Sequence, residues 1–136
     1  KDEQVARFWL SVAFCNIVQE PMPTRDTKPT YEQFVNGGKI LKETINIIRP
    51  TDCIIVGVRC ERNCAIREWE HSGILSKQWG ERINGTDPFY GTYTYPDGEK
   101  MKVINIKHTS QGYKPEEWTG YIKSHLPEAF AQLSNI

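Results

Sequence analysis

Apolar and polar residues follow one another along this chain in blocks that set out its elements. Val5, Ala6, Phe8 and Trp9 follow the polar start Asp2-Glu3-Gln4. Their spacing predicts a short helix over 2–10, with its acids in the first turn where the helix dipole favours them. Val12-Ala13-Phe14-Cys15 is a short apolar run ending at Asn16 and reads as a buried strand. Residues 19–30 hold Pro21, Pro23 and Pro29, with Arg25, Asp26 and Lys28 among them, and read as a polar loop. Thr30 is a predicted N-cap, and Gln33 completes a capping box. Phe34, Leu41, Ile45 and Ile48 then recur at helical spacing until Pro50 stops the helix, and Gly37-Gly38 marks close packing or a kink. Cys53-Ile54-Ile55-Val56-Gly57-Val58 does not alternate, which predicts a central parallel strand covered on both faces.

In the second half, residues 61–70 read as a helix ending near His71-Ser72-Gly73, with a second short helix over 74–80. Tyr90 to Tyr95 and Met101 to Lys107 form a predicted hairpin across the turn Pro96-Asp97-Gly98. A last helix runs from Pro115 to Ala131, with Glu116-Glu117 in its first turn and Trp118, Tyr121, Ile122 and Leu126 on its inner stripe. Helices and strands therefore alternate. The expected fold is a three-layer α/β/α arrangement with a mainly parallel central sheet, in one domain over residues 1–136.

Charge narrows the function classes. Lys plus Arg (17) equals Asp plus Glu (17), so no net positive field draws the chain to nucleic acid or to an acidic membrane. That counts against a non-specific DNA binder, whose affinity comes from neutralising phosphates, and leaves room for a base-specific protein with a small basic patch. Lys100, Lys102, Lys107 and Lys114 are the candidates for such a strip. Glu61, Arg62, Arg67, Glu68 and Glu70 read as a solvated helical face, and Trp69 and Trp79 as packing residues. Tyr90, Tyr93 and Tyr95 either cover the core or stack on bases.

Of the 4 cysteines, Cys15 and Cys53 sit in apolar runs and behave as small hydrophobes. Cys60 and Cys64, one helical turn apart, have only His71 nearby, short of the ligand set that zinc takes. No metal and no organic cofactor is expected. With no signal peptide and no membrane-length apolar stretch, the expected location is the cytoplasm, and the sequon Asn84-Gly85-Thr86 is a chance match in a turn.

The candidate chemistry centres on Ile104-Asn105-Ile106-Lys107-His108-Thr109-Ser110-Gln111-Gly112-Tyr113, a strand that ends in a histidine and passes into small, polar loop residues. Such a histidine either caps the strand or enters the cleft at the sheet edge, where open α/β sheets bind ligands. With parallel strands, Asn16, the Gly57–Arg59 turn and His108 with Ser110 would share that edge. Asn16 offers a donor and an acceptor on one planar amide, fit for a base edge, or it closes a local turn. His108 can donate to an oxygen that becomes anionic. Ser110, with the N–H groups near Gln111 and Gly112, can hold a phosphate or cap the turn.

Four segments in order carry a family resemblance. Phe14-Cys15-Asn16-Ile17-Val18-Gln19 is similar to the strand-plus-asparagine segment of the uracil-DNA glycosylase superfamily. Arg25-Asp26-Thr27-Lys28-Pro29-Thr30-Tyr31-Glu32 resembles the Asn-Arg-x-Pro-Thr-x-x-Glu run of its thermophilic-type branches. Ile48-Arg49-Pro50 leading into Ile54-Ile55-Val56-Gly57 resembles the helix end and strand that follow, and His108-Thr109-Ser110 falls where the family carries His-Pro-Ser. The resemblance implies a glycosylase-like fold and recognition of a flipped-out base in damaged or uracil-containing DNA. Asn16 would read the base, His108 would stabilise the departing base anion, and Ser110 would grip a phosphate. Gln111, Gly112 and Tyr113 would form the wedge loop, with Tyr113 as the wedge.

The family's Gly-rich first motif has no match in residues 1–12, which places it, on this resemblance, upstream of Lys1. The cluster cysteines of the thermophilic branches have none either: Glu20 and Gly37-Gly38 stand in their places, and no iron–sulfur cluster is expected. The expected activity is hydrolysis of the N-glycosidic bond of uracil or another deaminated base. The alternatives are a non-catalytic nucleic-acid or nucleotide binder of the same fold, and a protein-interaction domain using the aromatic hairpin.

Overall fold

The structure is a computed structural model that describes residues 2–24, 26–57, 66–110 and 112–134. Helix α1 (Asp2–Ser11) forms as its spacing predicts and is braced by an Arg7–Glu3 pair at 2.6 Å. Helix α2 (Tyr31–Ile48) begins with the expected capping box. The Thr30 hydroxyl accepts the Gln33 N–H at 3.2 Å, and the Gln33 side chain accepts the Thr30 N–H at 2.9 Å. It ends at Arg49, whose N–H makes the last helical bond to the Ile45 carbonyl at 2.8 Å and whose left-handed φ of 54° then turns the chain away into Pro50. Gly37 marks close packing: a Cβ there would collide with the Ile17 carbonyl.

Four strands follow: β1 (Asp52–Val56), β2 (Leu75–Trp79), β3 (Phe89–Thr94) and β4 (Lys100–Ile106). They lie in the order β1-β4-β3-β2. Only β1 and β4 run parallel, Asp52 opposite Lys102 through Val56 opposite Ile106, while β3 pairs antiparallel with both β4 and β2. The sheet is therefore mixed and mostly antiparallel, which corrects the expected mainly parallel sheet. The reason lies in the connections. The Pro96-Asp97-Gly98 turn and the 80–88 link are too short for a crossover, and short links make neighbouring strands antiparallel.

Three further expectations change. The Cys53–Val56 run is an edge strand, covered on one face: Ile55 is buried, whereas Ile54 and Val56 are 39% and 38% exposed. A β-branched run records burial but not which strand lies beside it. Leu75–Trp79 form strand β2 in place of the helix expected over 74–80, after a short helix α3 (Ile66–His71). In β2, Leu75 and Trp79 share a face with Lys77, and this inward lysine disguises the alternation. Its ammonium pairs with Glu70 at 2.8 Å and lies 4.5 Å from the centre of the Trp79 ring, which is itself largely exposed and not core. Val12–Cys15 is not a strand; Phe14 is exposed and meets Trp9 edge-on. A run of that length carries no periodicity of its own.

The last helix is broken in two, α4 (Pro115–His125) and α5 (Pro127–Ser134). Pro127 disfavours a helical backbone at Leu126, which takes φ −126° and ψ 58°. Trp118, Tyr121 and Leu126 are buried as expected.

Successive β4 residues divide between two apolar clusters. Met101 and Val103 pack with Ile45 of α2, Ile66 and Trp69 of α3, Phe89, Tyr93 and Tyr95. Ile104 and Ile106 pack with Trp118, Tyr121 and Leu126. Tyr93 and Tyr95 are therefore core residues, and the hairpin does not offer them to a partner or a base. The Tyr121 hydroxyl donates to the Phe89 carbonyl at 2.7 Å and so ties α4 to the sheet. No described helix is long and apolar enough to cross a membrane.

Candidate functional site

β4 delivers the candidate residues to the carboxyl end of the parallel pair. The ladder continues one step past β1, where the Gly57 N–H donates to the Ile106 carbonyl at 2.8 Å. Buried Ile106 fixes the strand end, and the chain then emerges at Lys107 with His108, Thr109 and Ser110 exposed.

The His108 ring meets Ser110 twice through one nitrogen. Its Nδ1 lies 3.2 Å from the Ser110 backbone nitrogen and 2.7 Å from the Ser110 hydroxyl. A backbone N–H can only donate, so Nδ1 is the acceptor and, in the neutral ring, the proton sits on Nε2. His108 thus turns an N–H donor outward, and the small loop residue Ser110 holds that tautomer. The spacing His108-Thr109-Ser110 brings together two of the residues picked from the sequence.

The loop beyond is anchored at both sides. Lys107 Nζ donates to the Asn84 carbonyl at 3.3 Å, and Asn84 Nδ2 donates to the Gly112 carbonyl at 2.5 Å. Tyr113 is half-buried and stacks parallel on Trp118, with ring centres 6.1 Å apart. Burial pushes its hydroxyl pKa upward. The expected wedge residue is therefore a packing residue in this conformation.

Asn16 stands apart. It is exposed, and its carbonyl accepts the Gln19 side-chain amide. Its segment lies against α2 through Ile17 and near β1. Burial, and then the neighbouring Cys15, push the Cys53 thiol up to about 12. Among the described residues no hydrogen bond joins Asn16 to His108 or Ser110. Arg25, Val58, Arg59, Cys60, Glu61, Arg62, Cys64 and Gln111 lie outside the described residues.

The expected basic strip does not form. Lys102 pairs with Glu128 at 2.7 Å, and Lys114 pairs with Glu117 at 3.0 Å. Lys100 and Lys102 also belong to the far end of β4. Lys107 is different: its partner is a carbonyl, and among the described residues it forms no ion pair. Two hollows, of about 190 and 490 Å³, open over β3 and β4 beside α4 and α5, and neither is lined by His108. No three described His, Cys, Asp or Glu side chains converge as metal ligands would.

The residue that sequence reasoning missed is Asn84. Its signal was the Asn-Gly turn chemistry, present in the sequence but set aside as a chance sequon. Compared with protein-family models, curated proteins and solved structures, the chain matches none.

Proposed function

We propose that this chain recognises a nucleobase turned out of a DNA strand, in the manner of the uracil-DNA glycosylase superfamily it resembles. We read its helices on either side of the sheet as a variant of that α/β/α layering, and its location as the cytoplasm. The observation that carries the reading is the pair of contacts from the Ser110 N–H and hydroxyl to His108 Nδ1. A ring whose Nδ1 is occupied by Ser110 presents Nε2–H from the carboxyl end of a parallel strand pair, where a carbonyl oxygen of a base can accept it. Lys107 supplies a local positive charge for the strand's phosphate, which fits a chain with no net charge to spend on non-specific attraction. Asn16 reads the base edge once DNA draws its exposed segment in. Recognition, and not hydrolysis, is the core of the reading, because among the described residues no carboxylate bonds His108 to ready a water.

The test is fluorescence anisotropy with oligonucleotides carrying one uracil, hypoxanthine or xanthine against the same strand with normal bases. The altered-base strand is expected to bind more tightly, and His108→Ala to erase about tenfold of that affinity, the worth of one good hydrogen bond in a desolvated site. Base release assayed on the same strands decides whether recognition leads to cleavage. Unchanged binding by both His108→Ala and Asn16→Ala overturns the reading.

A further inference from the structure

We propose that Asn84 is a positioning residue that holds Lys107–Ser110 and Gly112 in their ligand-ready arrangement, an inference that rests on reading that loop as the base-contacting one. Asn84 and Gly85 are the two central residues of a tight hairpin turn, with φ of 48° and 72°. Positive φ at both positions defines a type I′ turn, for which Asn-Gly is the preferred pair. Its flanks exchange both backbone hydrogen bonds, Ile83 N–H to the Thr86 carbonyl and Thr86 N–H to the Ile83 carbonyl, each at 2.9 Å. Ile83 packs against the cluster of Ile106 and Trp118, and Thr86 is buried, so the turn is a fixed point.

From that fixed point one residue reaches both shoulders of the loop. The Asn84 carbonyl accepts Lys107, immediately before His108, and its side-chain amide donates to Gly112, after Ser110. The segment carrying His108 and Ser110 is thus closed at its base by a single side chain and its own carbonyl. Closing such a loop in advance removes an ordering cost that binding would otherwise bear. It also keeps the Ser110 N–H on His108 Nδ1, and therefore the proton on Nε2.

The residue type matters. Aspartate tolerates the same backbone but would set a carboxylate against the Gly112 carbonyl, acceptor facing acceptor. Glycine keeps the turn and the backbone carbonyl that accepts Lys107, and removes only the side-chain half of the tether, to Gly112.

The experiment compares Asn84→Gly, Asn84→Asp and His108→Ala with the wild type by three readings. These are hydrogen exchange of the Ser110 amide in the free protein, the His108 ring tautomer by long-range nitrogen–proton NMR, and affinity for a uracil-containing oligonucleotide. Asn84→Gly is expected to melt with the wild type, to exchange the Ser110 amide at least about tenfold faster, and to lose the single Nε2–H tautomer. Asn84→Asp is expected to show the same loosening, and both to bind the oligonucleotide about tenfold more weakly. Wild-type exchange and tautomer in both Asn84 variants overturn the tether, whatever the DNA result. Loosened loops combined with DNA binding indifferent to His108→Ala leave the tether standing and remove the base-recognition reading instead.

Discussion

The two ends of β4 use similar chemistry to opposite purposes. At the amino end, the Tyr95 hydroxyl donates to the Pro50 carbonyl at 2.7 Å, and the Arg49 guanidinium lies 4.5 Å above the Tyr95 ring. Arg49 also reaches Asp97 at 2.7 Å, and the other Asp97 oxygen accepts the Glu99 N–H at 3.2 Å. The Tyr95 hydroxyl, the Arg49 guanidinium and the Asp97 carboxylate all have partners within the protein, and Tyr95 and Met101 beneath are buried. At the carboxyl end the cation is Lys107, the ring is His108 and the hydroxyl is Ser110. Their described bonds run to the Asn84 carbonyl and within the His108–Ser110 pair, and among the described residues none reaches His108 Nε2. A cation, a ring and a hydroxyl do not by themselves make a site. What separates the two trios is whether neighbouring groups engage them. Tyr95, Arg49 and Asp97 are tied to one another and to the backbone, whereas among the described residues no acceptor meets His108 Nε2 and no carboxylate pairs with Lys107.

The sharpest way to break the comparison is at the closed end. Met101 is fully buried in the cluster formed with Ile45, Tyr93 and Tyr95. Met101→Ala is expected to cost about 2–5 kcal/mol of stability, the usual range for emptying a packed core position, as read from denaturant unfolding. Oligonucleotide affinity of the molecules that remain folded should not change. An affinity loss as large as that of His108→Ala would mean that the two ends are not separable.

Most of what separates the ends was legible locally. Thr30 and Gln33 encode the start of α2, Pro96-Asp97-Gly98 the β3–β4 turn, and the alternation from Met101 to Ile106 the strand that ends at His108. Each depends on residues a few positions apart. The sheet order was not legible, because Ile54, Ile55 and Val56 would read the same at the centre of a sheet as at its edge. Lys77 hid β2 by facing inward toward Glu70. Pro127 did carry the break between α4 and α5, but the periodicity of Trp118, Tyr121 and Leu126 outweighed it. In the site, the contact of His108 with Ser110 follows from their spacing. That of Asn84 with Gly112 joins residues 28 positions apart and needs the folded chain to bring the turn over the loop. The expectation for Asn16 rested on a strand at Val12–Cys15, and with that strand absent nothing local aims its amide at His108.

Acid offers a smaller perturbation of the closed end. The Glu99 N–H first, and then Arg49, hold the Asp97 carboxyl below the usual carboxylate range. A carboxyl whose folded pKa is lowered stabilises the fold above its unfolded value, about 3.9, and loses that contribution as pH falls through the lower folded value. Thermal midpoints of the wild type should therefore exceed those of Asp97→Asn at neutral pH, and the two curves should converge in stronger acid. Because Asp97 is exposed, the gap should shrink in high salt. A gap that persists at low pH would assign the difference to hydrogen bonding by the side chain and not to its charge.

The smallest stability change belongs to the open end, and it is the most telling. His108 is exposed, and its described hydrogen bonds are with a residue two positions away, so removing its ring empties no packed space. His108→Ala is expected to shift unfolding free energy by no more than about 0.5 kcal/mol, as for surface positions generally. The amide of Ser110 loses its acceptor but remains in water and keeps a partner there, which is why the cost stays small. Met101→Ala and His108→Ala then form a crossed pair, stability falling in one without affinity and affinity in the other without stability. A His108→Ala chain that unfolds as readily as Met101→Ala would show that the imidazole supports the loop and the strand end below it, and the carboxyl end would then be as structural as the amino end.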